Sequence, residues 1–242
     1  MNSLGGGIMD ILTAQQLKDR LEESGIYSAR GNITMSLNGT SVLIKATDTI
    51  GNNIQEWLSQ WLFENNIYFR SPDNTQNFPD FYLSENENSG FLEVKSYFAP
   101  RRPAFDVANF DSYWQSIRDN PTRLDADYLI FAYDLINGAL SIRQIYLKKV
   151  WEITGRATDY PLNCQRKNGQ IYNIRPISFH SIQATILPFT CKGEFIAALY
   201  KTVLGHTNRA TDTKQWLKQV IQGYMEHSDE DLTPSINKYL HS

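Results

Sequence analysis

Apolar positions recur along this chain with two periods, and the places where the period changes mark out its elements. In "LTAQQLKDRLEES" Leu17 and Leu21 stand four apart behind Thr13, which predicts a short amphipathic helix capped by that threonine. "NITMSLNGTSVLIKA" alternates on both sides of Asn38-Gly39, the strongest short signal for a hairpin. In "DTIGNNIQEWLSQWLFENN" the residues Ile54, Trp57, Leu58, Trp61 and Leu62 share a helical spacing, so one face must be buried. Short strands follow over 67–70, 80–83 and 90–96, then a helix over 108–118 closed by Asn120-Pro121. "ADYLIFAYDL" is a continuous apolar run of strand length and suits a central strand covered on both faces. "GALSIRQIYLKKV" adds a neighbouring strand. "GRATDYPLNCQRKNGQIYNIRP" has little periodicity and many turn formers, and reads as an exposed loop leading into a strand at 171–174. Two helical patterns close the chain, over 192–204 and 213–225. With no repeat, low-complexity tract or clear linker, the order predicts a single α/β domain preceded by a helix and hairpin extension.

Composition adds bounds. A chain of 242 residues with 41% hydrophobic content can bury a sizeable core. It has no long apolar run, and its start lacks a basic segment followed by an apolar one, so neither a membrane span nor a signal peptide is expected and the cell interior is the default. Cys164 and Cys191 sit in unrelated contexts, which predicts free thiols and no structural zinc. The four histidines show no metal-binding or HNH-like spacing. A net charge of −3 argues against a protein that simply coats nucleic acid. Its distribution is uneven, however: residues 143–175 carry seven basic side chains against two acidic ones.

The chemistry is concentrated in "NFPDFYLSENENSGFLEVKS". On an extended strand Glu93 and Lys95 project from one face while Leu92 and Val94 point into the core. If the segment of Asp80 pairs alongside, two carboxylates and an ammonium converge at one end of a sheet. Two such carboxylates repel, and a divalent cation is the usual relief; hard oxygen donors suit Mg²⁺, which also binds phosphate oxygens. A neighbouring lysine could orient a metal-bound water. The bland alternative is an ordinary strand showing Glu93 and Lys95 to solvent.

These residues resemble the PD-(D/E)xK nucleases, as "PDF" at Pro79, Asp80 and Phe81 and "EVK" at Glu93, Val94 and Lys95. Such enzymes often carry another acid on the preceding helix, matched here by Glu56. The resemblance implies a restriction-endonuclease-like αβββαβ core, a central mixed sheet flanked by helices, over residues 49–136. Residues 1–48 resemble the dimerisation arm of blunt-cutting members, and residues 137–242 would hold DNA recognition and the C-terminal helices. With no Walker motif in the chain, the likeness is to type II restriction endonucleases, and more faintly to enzymes that cut GGNNCC. It implies Mg²⁺ held by Asp80 and Glu93 with the carbonyl of Val94, a water positioned by Lys95, and cuts in double-stranded DNA leaving 5′-phosphates. It also implies a two-fold homodimer, a prokaryotic cytoplasmic setting and a cognate methyltransferase. Two other readings stay open: a repair or junction-resolving nuclease, and a non-catalytic DNA-binding module on the same fold.

Arg and Lys suit guanine, Asn and Gln suit adenine. Candidates to meet DNA are therefore Arg166, Lys167, Asn168, Gln170, Asn173 and Arg175, with Arg101 and Arg102 just after the catalytic strand. Contact with phosphates, or simple solvation, is their alternative role.

Overall fold

The computed structural model describes residues 9–47, 49–74, 78–206 and 210–241. The first eight residues of the expected N-terminal extension, Asp48 and the side chain of His206 lie outside the described residues. In chain order the elements are α1 (Ala14–Glu23), β1 (Thr34–Leu37), β2 (Thr40–Leu43), α2 (Ile50–Glu64), β3 (Phe81–Tyr82), β4 (Phe91–Phe98), β5 (Ala108–Asn109) and α3 (Phe110–Asp119). A 3₁₀ turn at Pro121–Asp125 leads to β6 (Asp127–Ile136), β7 (Ala139–Lys148), α4 (Val150–Ile153), β8 (Cys164–Lys167) and β9 (Gln170–Ile174). The helices α5 (Lys192–His206), α6 (Ala210–Ser228) and α7 (Thr233–Leu240) close the chain. Two compact units result: Met1–Arg101 with Asp127–Leu147, and Arg102–Ala126 with Lys148–Ser242. Among the described residues no helix is long and apolar enough to cross a membrane.

The first unit is built on a mixed sheet in the order β3-β4-β6-β7. β4 runs parallel to β6, from Leu92 beside Asp127 to Phe98 beside Tyr133. β3 is antiparallel to β4. β6 and β7 are joined by Asn137-Gly138, whose φ angles of 53° and 86° are those a two-residue hairpin turn requires. A side chain at Gly138 would also run into Leu43. β6 is buried along most of its length, as its unbroken apolar run demands.

Against one face of this sheet α2 lays Ile50, Ile54, Leu58 and Leu62, which pack with Phe81, Leu83, Leu92, Val94, Leu129 and Phe131. The buried stripe is a single row of residues four apart, narrower than the expected face. Trp57 stays 42% exposed, with Trp61 half-buried beside it, ring centroids 6.3 Å apart. α1 is as expected: Thr13 and Gln16 form a reciprocal capping box, and Leu17 and Leu21 are fully buried. The β1–β2 hairpin turns at Asn38-Gly39, both with positive φ, and leaves Met35, Leu37 and Val42 exposed. The strand expected over 67–70 shrinks to single bridges, Ile67 to Asp10 and Arg70 to Tyr82.

The second unit holds a three-stranded sheet, β5-β9-β8. Here the expected exposed loop proves to be ordered: β8 and β9 form an antiparallel hairpin around Asn168-Gly169, with φ of 52° and 79°. β8 is exposed over most of its length, so its sequence carries no alternation to betray it. α3 begins at a capping Asn109, whose side chain accepts from the Ser112 N–H at 3.0 Å. The Trp114 and Trp216 rings stack 3.6 Å apart, and the Trp216 indole N–H donates to the Trp114 carbonyl at 2.8 Å. Trp216 is thus a core residue. α7 was not foreseen; it has a proline in its first turn and buries only Ile236.

Candidate active site

The register that pairs Tyr82 with Phe91 and Phe81 with Leu92, carried two residues past the end of the strand, places Asp80 opposite Glu93 and Pro79 opposite Val94. The Leu83 N–H donates to the Gly90 carbonyl at 2.8 Å. Hydrogen-bonded positions therefore fall at 83/90 and 81/92, with 82/91 a closer pair without mutual hydrogen bonds; by the same alternation 80/93 would be the next close pair and 79/94 the next hydrogen-bonded position. Asp80 and Glu93 meet at the end of the ladder, in the kind of pair that brings side chains nearest. A proline has no N–H to donate, so the ladder cannot continue through Pro79. Asp80 takes that place, its Oδ2 accepting from the Val94 N–H at 2.7 Å.

On β4 the expected alternation holds. Leu92 and Val94 join the hydrophobic core, while Glu93 and Lys95 share the other face. Glu93 is only 6% exposed, and its Oε2 lies 3.1 Å from the Lys95 ammonium.

Burial, and after it the negative charge of Glu93, push the Asp80 carboxyl up to about 6, while Lys95 and the Val94 N–H act in the opposite direction. A carboxylate held this way is short of positive charge. Two hard oxygen donors at one ladder end fit a divalent cation, whose charge would relieve that shortage. Among the described residues no cluster of three or more His, Cys, Asp or Glu could hold a metal. The remaining ligands would be backbone, water or phosphate oxygens, the coordination Mg²⁺ favours.

Glu56 is exposed on α2 and lines a cavity of about 180 Å³ with Gln55, Ser59, Ser71, Pro72 and Asp80. The structure thus brings Glu56 and Asp80 to one cavity, and Glu93 and Lys95 to Asp80 across the ladder. Ser59 and Ser71 went unnoticed in the sequence. So did Arg70, which stacks 3.9 Å over the Tyr82 ring and has one buried guanidinium nitrogen without a partner. A lone cation in "IYFRSP" carries no periodic signal that would have singled it out.

The DNA-contact candidates are dispersed. Arg101 lies over Phe98 in the first unit, 5.9 Å from its ring centroid. The β8–β9 hairpin carries Arg166, Lys167, Asn168, Gln170 and Asn173. Arg166 donates to the Gly169 carbonyl at 2.7 Å, and Lys167 sits 5.2 Å over Tyr172. Asn168 forms the turn and Gln170 is exposed. Asn173 is buried, its amide donating to Gln165 at 3.4 Å. Arg102 and Arg175 are brought together, on a cavity of about 600 Å³.

A family model described as NgoBV restriction endonuclease matches residues 11–240 of this chain. The type II restriction enzyme NlaIV of Neisseria lactamica is 38% identical over 226 residues, 92% of this chain and 93% of its own length. The type II restriction enzyme NgoBV of Neisseria gonorrhoeae is 38% identical over 159 residues, 64% of this chain and 90% of its own. Among solved structures, the NlaIV restriction endonuclease superposes with a TM-score of 0.87 at 36% identity, covering 93% of this chain and 94% of that one.

Proposed function

We infer the reaction from the premise that this chain belongs to the NgoBV restriction endonuclease family. It is a type II restriction endonuclease, a site-specific deoxyribonuclease, and such enzymes generally need a divalent metal. The reading proposed here is that the metal is Mg²⁺ and that Asp80 and Glu93 hold it. The observation that carries this assignment is the Asp80–Glu93 pair at the end of the β3–β4 ladder, with Lys95 3.1 Å from Glu93.

Each neighbouring residue then has a part. The N–H and C=O of one strand residue project to the same side, so the Val94 carbonyl faces the edge where Asp80 takes the Val94 N–H. Pro79 offers that carbonyl no N–H, which leaves it available as a further oxygen ligand. When bound, the metal supplies a Lewis acid that polarises phosphate and acidifies water. Lys95 orients the attacking water and stabilises charge on the phosphate, and Glu56 supports the site from α2. The proposed products carry 5′-phosphate and 3′-hydroxyl ends.

A palindromic target would be cut by two copies of the chain, one active site to each strand. Residues 1–48 are proposed as the pairing arm. In support, the β1–β2 hairpin exposes Met35, Leu37 and Val42, and a two-stranded hairpin alone is marginal in water. The proposed setting is a prokaryotic cytoplasm, beside a methyltransferase of the same specificity. The basic set of Arg101, Arg102, Arg166, Lys167, Asn168, Gln170, Asn173 and Arg175 is proposed to meet DNA. The resemblance to enzymes cutting GGNNCC names the first duplex to try.

Plasmid cleavage in Mg²⁺ tests the reading. Discrete fragments with 5′-phosphate ends are expected from the wild type and none from Asp80→Ala or Glu93→Ala. Turnover by either variant within tenfold of wild type would sink the assignment of the site.

A further inference from the structure

A polar cavity of the second unit, about 600 Å³, is lined by Arg102, Asn163, Arg175, Ser178, Ser181 and Gln183 among others. Its walls divide into side chains already engaged and side chains that are not. Arg175 follows β9 directly, and its guanidinium is held by the Asp106 carboxylate and the Ala104 carbonyl. That grip fastens the segment just after Arg102 to the end of the sheet. Asn163 donates its amide to the Pro176 carbonyl at 3.1 Å, and its own carbonyl accepts from the Arg175 N–H at 2.9 Å.

A second part of the lining, residues 178–184, is fixed by two successive turns. The Ser181 N–H donates to the Ser178 carbonyl at 3.0 Å, and the Ala184 N–H to the Ser181 carbonyl at 3.1 Å. The Gln183 N–H also donates to the Ser181 hydroxyl at 3.3 Å. This wall has a defined path without helix or strand, and it carries Ile182 with its side chain wholly in solvent, 104% exposed.

On this braced cavity the exposed guanidinium of Arg102 and side-chain amide of Gln183 have no partner among the described residues. Arginine and glutamine are the side chains whose paired donors and acceptors match base edges, arginine to guanine O6 and N7 above all. An apolar residue at full exposure on a polar rim is suited to contact with bases. Preorganised walls and uncommitted readers are what sequence discrimination requires, since a side chain already engaged must break its bonds before it can read.

We propose that this cleft is the sequence-reading element of the enzyme, with Arg102 engaging a guanine and Gln183 a neighbouring base edge, and that Arg175 and Asn163 hold its shape. The inference rests on the reading of DNA as substrate. It moves base recognition away from the β8–β9 hairpin, where Arg166 and Asn173 are already bonded within the hairpin.

The test starts from wild-type protein, whose cleavage site is mapped from plasmid fragments. Binding to that duplex, and to duplexes changed at one base pair each, is then measured in Ca²⁺ for wild type, Arg102→Ala, Arg102→Lys and Gln183→Ala. Both Arg102 variants are expected to lose about tenfold or more on the mapped duplex and to cease discriminating at one G·C position, with thermal unfolding unchanged. Lysine fails to rescue because it lacks the planar fork. Gln183→Ala should flatten discrimination at a different position. Wild-type discrimination in all three variants, or a loss equal on every duplex, overturns the proposal while leaving the nuclease reading intact. Absence of any wild-type cleavage in Mg²⁺ or Mn²⁺ overturns both.

Discussion

Replacing Asp80 by asparagine should make the metal-free protein more stable, although it destroys the site. In the folded chain the Asp80 carboxyl is raised from the ordinary 3.8 to about 6, first by burial and then by Glu93. A carboxyl whose folded value lies above its unfolded one binds its proton more tightly in the native state. Stability therefore falls as pH rises from about 4 to about 6, and the full penalty persists at neutral pH. A difference of about two units corresponds to roughly 3 kcal/mol at 1.36 kcal/mol per unit. Asparagine keeps an oxygen for the Val94 N–H, which Asp80 now takes at 2.7 Å, and removes the charge that faces Glu93. Urea or thermal unfolding in EDTA should then show Asp80→Asn more stable than wild type by about 2 to 3 kcal/mol at pH 7.5. At roughly 2 to 4 °C per kcal/mol for a chain of this size, the gain is on the order of 5 to 10 °C in Tm. Near pH 4 the gain should vanish. Added Ca²⁺ or Mg²⁺ should stabilise wild type and leave the variant unmoved, because only the native carboxylate pair binds the cation. An asparagine variant no more stable at pH 7.5, or a gain undiminished at pH 4.5, would refute the claim that Asp80 is charged against its surroundings.

Lys95→Ala should slow cleavage by about 10²- to 10⁴-fold while the metal-induced rise in Tm survives, since the role proposed for Lys95 is on water and phosphate; loss of that rise would make Lys95 part of metal binding. Glu56→Gln should slow cleavage less than Asp80→Asn does, because Glu56 is exposed and meets Asp80 only across a shared cavity; equal loss in single-turnover rates would promote Glu56 to a principal ligand. Cys164, a half-buried residue whose thiol is pushed up to about 12 by desolvation, should react slowly with iodoacetamide at pH 8 in the native protein and faster in urea, with peptide mass mapping as the readout; native labelling as fast as in urea would contradict that shift.

What the sequence discloses of this protein depends on whether burial is one-sided. β4 packs Leu92 and Val94 into the core and turns Glu93 and Lys95 the other way, so alternation reveals both the strand and its chemical face. The Asn38-Gly39 and Thr13 signals act locally and need no tertiary context. β8 and β9 carry an equally good Asn168-Gly169 turn, but β8 is exposed on nearly every residue and offers no alternation around it. Trp57 shows the opposite failure: its spacing matches the buried row of α2, yet the row is one residue wide and the indole stays at the surface. The partition into two units is silent in the composition, because each unit is made of two segments and no linker-like stretch marks any of the three crossings. Arg102 was legible as a basic residue soon after β4, whereas Gln183 was not, since only the paired turns of residues 178–184 place it on the cavity.

The ladder end at Pro79 explains why so short a motif can carry chemistry. A strand that continued past Phe81 would pair Val94 on both its N–H and its C=O and fill the edge with backbone. Proline at position 79 stops this, because it cannot donate, and it does so one residue before the acid that must approach the edge. Asp80 then satisfies the Val94 N–H with a charged oxygen, and the antiparallel register sets the second acid, Glu93, directly opposite. Two local preferences of a sheet are broken together: an interrupted ladder beside a central strand, and like charges facing across it. Neither improves the stability of the metal-free chain. Their coincidence at one point, with Lys95 two residues on along the same face, is what the proposed binding of a divalent cation and a phosphate at this edge would account for.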